Sequence, residues 1–232
     1  MGMRQLVLIL LFLVSSAYGI VDVAAAQPMR MLIPKKAAAA GAGSDSITVV
    51  IAGTNDDGGS YHTGATFFED VTENQNQVRF ESPTDFYMAG VLFVATVPQG
   101  STIDSCHLNV FVTSGNWDDE TADTVLIKMY DVDDAAQFTS VHNTHDMLGH
   151  EAVTSAYIQW EPGASSAVPD YYRTVNLASL LQVVVDRAGY TSASRVGIIL
   201  YPNSAWVATK YFFVEDVSAV ASNNAFLEIG WH

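Results

Sequence analysis

From Ile47 onward the chain repeats apolar and polar residues with period two, the signature of strands that bury one face. In "IDSCHLNVFV", Cys106, Leu108, Val110 and Val112 fall on one face, and His107 and Asn109 on the other. "TVLIKMYDV" (Thr124 to Val132) turns Val125, Ile127 and Met129 inward, and Asp131 continues that face. "FYMAGVLFVATV" (Phe86 to Val97) is apolar on both faces and predicts a buried central strand. "ITVVIA" from Ile47, "QVRF" from Gln77, "AYIQW" from Ala156 and "YYRTV" from Tyr171 read as further strands. So do "RVGIILY" from Arg195, "TKYFFVE" from Thr209 and "AFLEIGW" from Ala225. "NDDGG" (Asn55 to Gly59) and "VPQGST" (Val97 to Thr102) read as turns.

One stretch changes period. In "NLASLLQVVVDRAG", Leu177, Leu180, Leu181 and Val184 take the i, i+3, i+4, i+7 spacing of a helix face. Asn176 suits the start, Arg187 the last turn and Gly189 the stop, so a helix is expected over 177–187. About ten strands, one helix and no alternation of strands with helices predict an all-β, antiparallel sandwich over residues 47–232. Cys106, Trp160 and Trp231 sit in alternating strands and are expected in the core.

The first 46 residues are different. "LVLILLFLV" (Leu6 to Val14) behind a single Arg4, followed by small residues to Gly19, reads as an export signal over 1–19. Together with "IVDVAAA" it also fits an uncleaved anchor, the one route by which a membrane would become a partner. Residues 20–46 mix basic residues, an alanine run and glycines without a period, and read as a linker or an arm. An exported or surface-displayed protein is expected, and its one cysteine permits no intrachain disulfide.

Charge narrows the partners. The chain carries a formal net charge of −15. Arg4, Arg30, Lys35 and Lys36 precede Ser44; the remainder holds 24 acids and 6 bases, a net −18. Such a domain repels phosphate, so nucleic acid is not an expected partner.

The run "VPQGSTIDSCHLNVFV", the acidic "YDVDDAAQF" and the helix Leu177, Leu181, Val184, Val185, Arg187, Gly189, Tyr190 together resemble jelly-roll modules of secreted bacterial proteins and of phage structural proteins. The resemblance spans roughly Arg79 to Trp231. It implies a jelly-roll-like sandwich with an adhesive, glycan-binding or architectural role, and its motifs carry no catalytic residue.

Candidate chemistry is sparse. Asp131, Asp133 and Asp134 cluster after a strand, and Asp118 and Asp119 occupy the loop before it. Clustered carboxylates suit a hard cation such as calcium, although positions 5, 6 and 12 counted from Asp131 (Ala135, Ala136, His142) do not fit an EF-hand. The competing reading is a solvated acidic rim. His142, His145 and His150 match no zinc-protease or finger spacing and read as a loop. No nucleophile elbow, phosphate loop or zinc-protease motif occurs, so no enzyme is expected; a metal-dependent hydrolase is the weakest alternative. Trp117, Trp206 and Tyr190 are the aromatic candidates for stacking on a glycan. The expectation is a non-catalytic sandwich for adhesion or architecture that binds glycan or neighbouring subunits. The alternative is a structural subunit of a virion or extracellular assembly, with residues 20–46 as an inter-subunit arm.

Overall fold

A computed structural model describes residues 45–51, 53, 56–63, 66–70, 75–82, 84–117, 124–138, 147–163, 168–203, 210–215 and 221–232. The export-type segment 1–19 and nearly all of 20–46 lie outside the described residues. The strands are β1 (Asp45–Val50), β2 (Asp57–Thr63), β3 (Thr66–Asp70), β4 (Gln75–Ser82), β5 (Asp85–Val94), β6 (Ile103–Asn116), β7 (Val125–Met129), β8 (Ile158–Trp160), β9 (Asp170–Arg173), β10 (Arg195–Pro202), β11 (Tyr211–Glu215) and β12 (Phe226–Trp231). Two α-helices, α1 (Met147–His150) and α2 (Ala178–Val185), and a 3-10 turn at Ala221–Asn223 complete the described elements.

The protein is an all-β antiparallel sandwich. Its strands form one hydrogen-bonded path, β1-β12-β6-β11-β4-β5-β10-β7-β8, with β2 and β3 added at β5 and β9 at β6. Two long strands let this path fold into two layers. In β6, Asn109 pairs with both Phe226 and Arg173, and Val112 with both Val214 and Asp170. β12 and β11 therefore share one edge of β6, end to end, and β9 takes the other. The pairing slips between Phe213 and Val214, a bulge at the hand-over. In β5, Tyr87 pairs with Tyr61 and Arg79, whereas Ala89 pairs with Gly59 and Leu200. β4 and β10 thus share one edge of β5 in the same way. Strands that change partners along their length are how a single ladder turns the corner of a sandwich.

Between the layers lies the main core. Cys106, Leu108, Val110 and Val112 from β6 meet Val125, Ile127 and Met129 from β7, Ile198 and Leu200 from β10, and Leu227 and Ile229 from β12. Trp160 and Trp231 belong to it, as the alternation predicts. Each aliphatic side chain buried in this way contributes roughly 1.5–3 kcal/mol. Helix α2 closes one end with Leu180, Leu181, Val184 and Val185. It is shorter than the expected 177–187. Its N-cap is Leu177, one residue after the expected Asn176, whose Oδ1 accepts from Ala178 N at 3.0 Å and also from Cys106 N at 2.9 Å. Gln182 adds a second tie to β6, accepting from Ile103 N at 2.8 Å.

From Met88 to Phe93 β5 is buried on both faces, as its doubly apolar run predicts, with Ala89, Val91 and Phe93 joining the main core. Its Met88 and Leu92, with Ile199 of β10, face a second, smaller core roofed by Tyr130, Ala135, Phe138 and Met147. Gly90 makes this possible, because a Cβ there would lie 2.7 Å from Met147 Sδ and Phe138 Cζ.

Two expectations are corrected. "NDDGG" is not a free acidic turn: Asp57, Gly58 and Gly59 open β2, and Asp57 is buried opposite Val91. Glycine fits there because a Cβ at Gly59 would come within 3.0 Å of Asn76 Oδ1. The hairpin β2–β3 was also not expected, since "DGGSYHT" carries too little apolar alternation to read as a strand.

Candidate functional site: a tyrosine strip across the sheet

Directly opposed residues in antiparallel strands point to the same face. Tyr61 of β2 opposes Tyr87 of β5, Tyr87 opposes Arg79 of β4, Arg79 opposes Tyr211 of β11, and Tyr211 opposes Asn116 of β6. One transverse row therefore crosses five strands. Its first four members are half-buried and Asn116 is exposed, so the row is partly open to solvent; along β5 the face that carries Tyr87 continues into the main core at Ala89, Val91 and Phe93. The inward positions beside it, Val78, Phe80 and Phe212, are buried in the core.

The row is a physical cluster as well as a register. Tyr61 and Tyr87 stack with ring centroids 4.3 Å apart and planes at 21°. Arg79 Nη2 holds Glu81 Oε1 at 3.0 Å. The Tyr87 hydroxyl is pushed above the ordinary tyrosine range, first by burial, then by the Glu81 carboxylate and Tyr61, with Arg79 pulling the other way. Tyr211 meets Phe213 edge-on at 5.5 Å, and Phe213 opposes Gln77 in the adjoining row. The strip thus offers aromatic surface, phenolic hydroxyls, side-chain amides and one internally neutralised ion pair. Chemically it can hold a ligand by apolar contact and hydrogen bonding, and it assembles no nucleophile with a base.

The aromatic candidates taken from the sequence fare differently. Trp117 is buried at 2 % exposure, its ring edge-on to Tyr172 and Phe212 at 5.5 and 5.7 Å, and its indole N–H donates to the Gly163 carbonyl. It folds back over Gly115, where any Cβ would collide with its ring. Tyr190 is buried at 1 %, and its hydroxyl donates to the Ala95 carbonyl at 3.0 Å; burial pushes its pKa up to about 12. Neither ring is available to a ligand, which corrects both assignments. Trp206 lies outside the described residues. Another outer-face group, Phe111, Tyr171 and Phe226, packs edge-on at 5.2 and 5.3 Å. There the Tyr171 hydroxyl is committed to the Ser222 and Asn224 carbonyls.

The acidic cluster is met by arginine. Arg187 Nη1 reaches Asp131 Oδ1 at 2.6 Å, and its Nε reaches Asp133 Oδ1 at 2.7 Å. Those two hydrogen bonds, Asp133 first, raise the pKa of Arg187. Gly189 leaves room for this arrangement, because a Cβ there would strike the Asp133 carboxylate. Asp134 Oδ1 accepts the Arg195 backbone N–H at 2.7 Å. The inward face of β7 ends at Met129; Asp131 is half-buried and turned to Arg187 instead of the core. Asp118 and Asp119 lie outside the described residues, and among those described no three His, Cys, Asp or Glu side chains gather as a metal-binding group. His142 and His145 also lie outside them, while His150 packs 5.8 Å from the rings of Tyr130 and Phe138. Cys106 is fully buried, and desolvation pushes its thiol far above the ordinary range, which suits a core residue and not a nucleophile.

Sequence reasoning missed the strip. The available signal was aromatic residues in the polar phase of a strand, as with Tyr211 and Phe213 flanking the inward Phe212 in "YFFVE". No protein-family model and no curated protein matches the chain, so its reading rests on this geometry.

Proposed function

We propose that this protein is a non-catalytic β-sandwich for adhesion or architecture that binds glycan through the tyrosine strip. The observation that carries the reading is the unbroken register Tyr61–Tyr87–Arg79–Tyr211–Asn116, a partly exposed row across five strands. Tyrosine joins a rigid apolar ring to a hydroxyl and loses little conformational freedom on contact. A sugar presents the complementary surface: a patch of C–H groups ringed by hydroxyls. The export-type N-terminus supports a place outside the cell, where such ligands are abundant.

The test is a glycan array probed with the full chain and with the double variant Tyr87→Ala, Tyr211→Ala. Wild type is expected to bind a defined subset of glycans and the variant to lose it, with far-UV circular dichroism unchanged. Silence of the folded wild-type protein across the array overturns the reading.

A further inference from the structure

We infer that the ligand of the strip is an uncharged, linear glycan lying across the strands, one sugar ring per strand; this inference rests on the glycan reading above. Two observations carry it, and the first is charge. From Ser44 onward the chain is −18, and the strip's own cation, Arg79, is paired with Glu81 at 3.0 Å. A polyanion such as a uronate chain would approach against the field of the whole domain, and the cation of the strip, Arg79, already holds Glu81. An uncharged chain meets no such barrier.

The second observation is spacing. The row's members come from five adjacent strands, so consecutive side chains are set by the interstrand distance of about 4.8 Å. That repeat is comparable to the length of one pyranose unit in an extended chain. The whole row from Tyr61 to Asn116 spans roughly 19 Å between its end members, so one ring per strand makes about five units. Because the register is fixed by main-chain pairing, the spacing is built into the sheet and does not depend on a loop. The side-chain order also has a direction: the stacked tyrosine pair at the β2 end gives way to Arg79, Tyr211 and the amide of Asn116 at the other.

Affinity electrophoresis tests the inference directly. The full chain is run through gels containing a mixed-linkage β-glucan, a linear mannan, alginate or polygalacturonate. Retardation is expected in at least one neutral polysaccharide, unchanged between low and high salt, with none in the two polyanions. Tyr87→Ala is expected to weaken it tenfold or more. Tyr87→Phe, which keeps the ring and guards against a folding artefact, should weaken it less. With oligosaccharides of the neutral polymer, affinity should climb to about five units and then level off. Retardation by the polyanions alone, relieved by salt, overturns the uncharged ligand and leaves the glycan reading standing. Neutral binding that ignores Tyr87→Ala overturns the strip as its site. Absence of retardation in every gel, together with a silent array, removes both.

Discussion

Tyr61 and Tyr87 oppose one another across β2 and β5 and stack at 4.3 Å, the tightest ring pair in the strip. Cross-strand aromatic pairs of this kind contribute about 0.5–1.5 kcal/mol beyond their buried area. A double-mutant cycle with Tyr61→Ala and Tyr87→Ala, read by urea unfolding, is expected to return a coupling energy in that range. A coupling indistinguishable from zero would mean the rings do not hold each other in solution.

Trp117 should behave as a core residue. Trp117→Ala is expected to lower stability by about 3–5 kcal/mol, the usual cost of deleting a buried aromatic ring. Gly115→Ala should also destabilise, because its new methyl group meets the indole. Urea unfolding followed by tryptophan fluorescence checks both. Wild-type stability in either variant would place the ring at the surface.

Asn176 serves two donors at once, the Cys106 and Ala178 backbone N–H groups. Asn176→Ala is expected to cost about 1–2 kcal/mol, and Asn176→Asp, which keeps the acceptor, much less. Hydrogen exchange should show the loss at Cys106 and through the first turn of α2. Uniform loss across the whole sandwich would point to a different cause.

Arg187 neutralises Asp131 and Asp133, so Arg187→Ala leaves two neighbouring carboxylates facing each other. The variant is expected to melt below wild type at low salt, and the gap should narrow as salt screens the repulsion. Added calcium should raise the midpoint of the variant more than that of wild type, because the cation would take the place of the guanidinium. Equal calcium responses would show that the arginine is not what balances this pair.

Tyr190 is raised to about 12 by burial, and Tyr201 also to about 12, by burial first and then by Tyr157. Both hydroxyls stay protonated in the fold at pH values where the unfolded chain has begun to ionise near 10. The unfolded state then binds fewer protons, so stability is complete below about pH 10 and falls as pH climbs toward 12. Unfolding free energies measured across that window should decline, with a shallower slope in Tyr190→Phe. A flat profile would contradict the burial of these hydroxyls.

What the chain states locally was legible from its residues. Period-two alternation assigned Cys106, Leu108, Val110, Ile127 and Leu227 to the interior, because a side chain's face in a strand depends only on its neighbours in sequence. The helix face Leu180, Leu181 and Val184 was equally local. Which strands lie side by side was not local. Tyr61, Arg79, Tyr87 and Tyr211 become a strip only because β5 and β6 each pass from one partner to another along a single edge. The fate of Trp117 turned on Gly115 admitting its ring, and that of Asp131 and Asp133 on Arg187 arriving from beyond α2. Alternation sets which way each side chain faces; only strand pairing and close packing decide what it meets there.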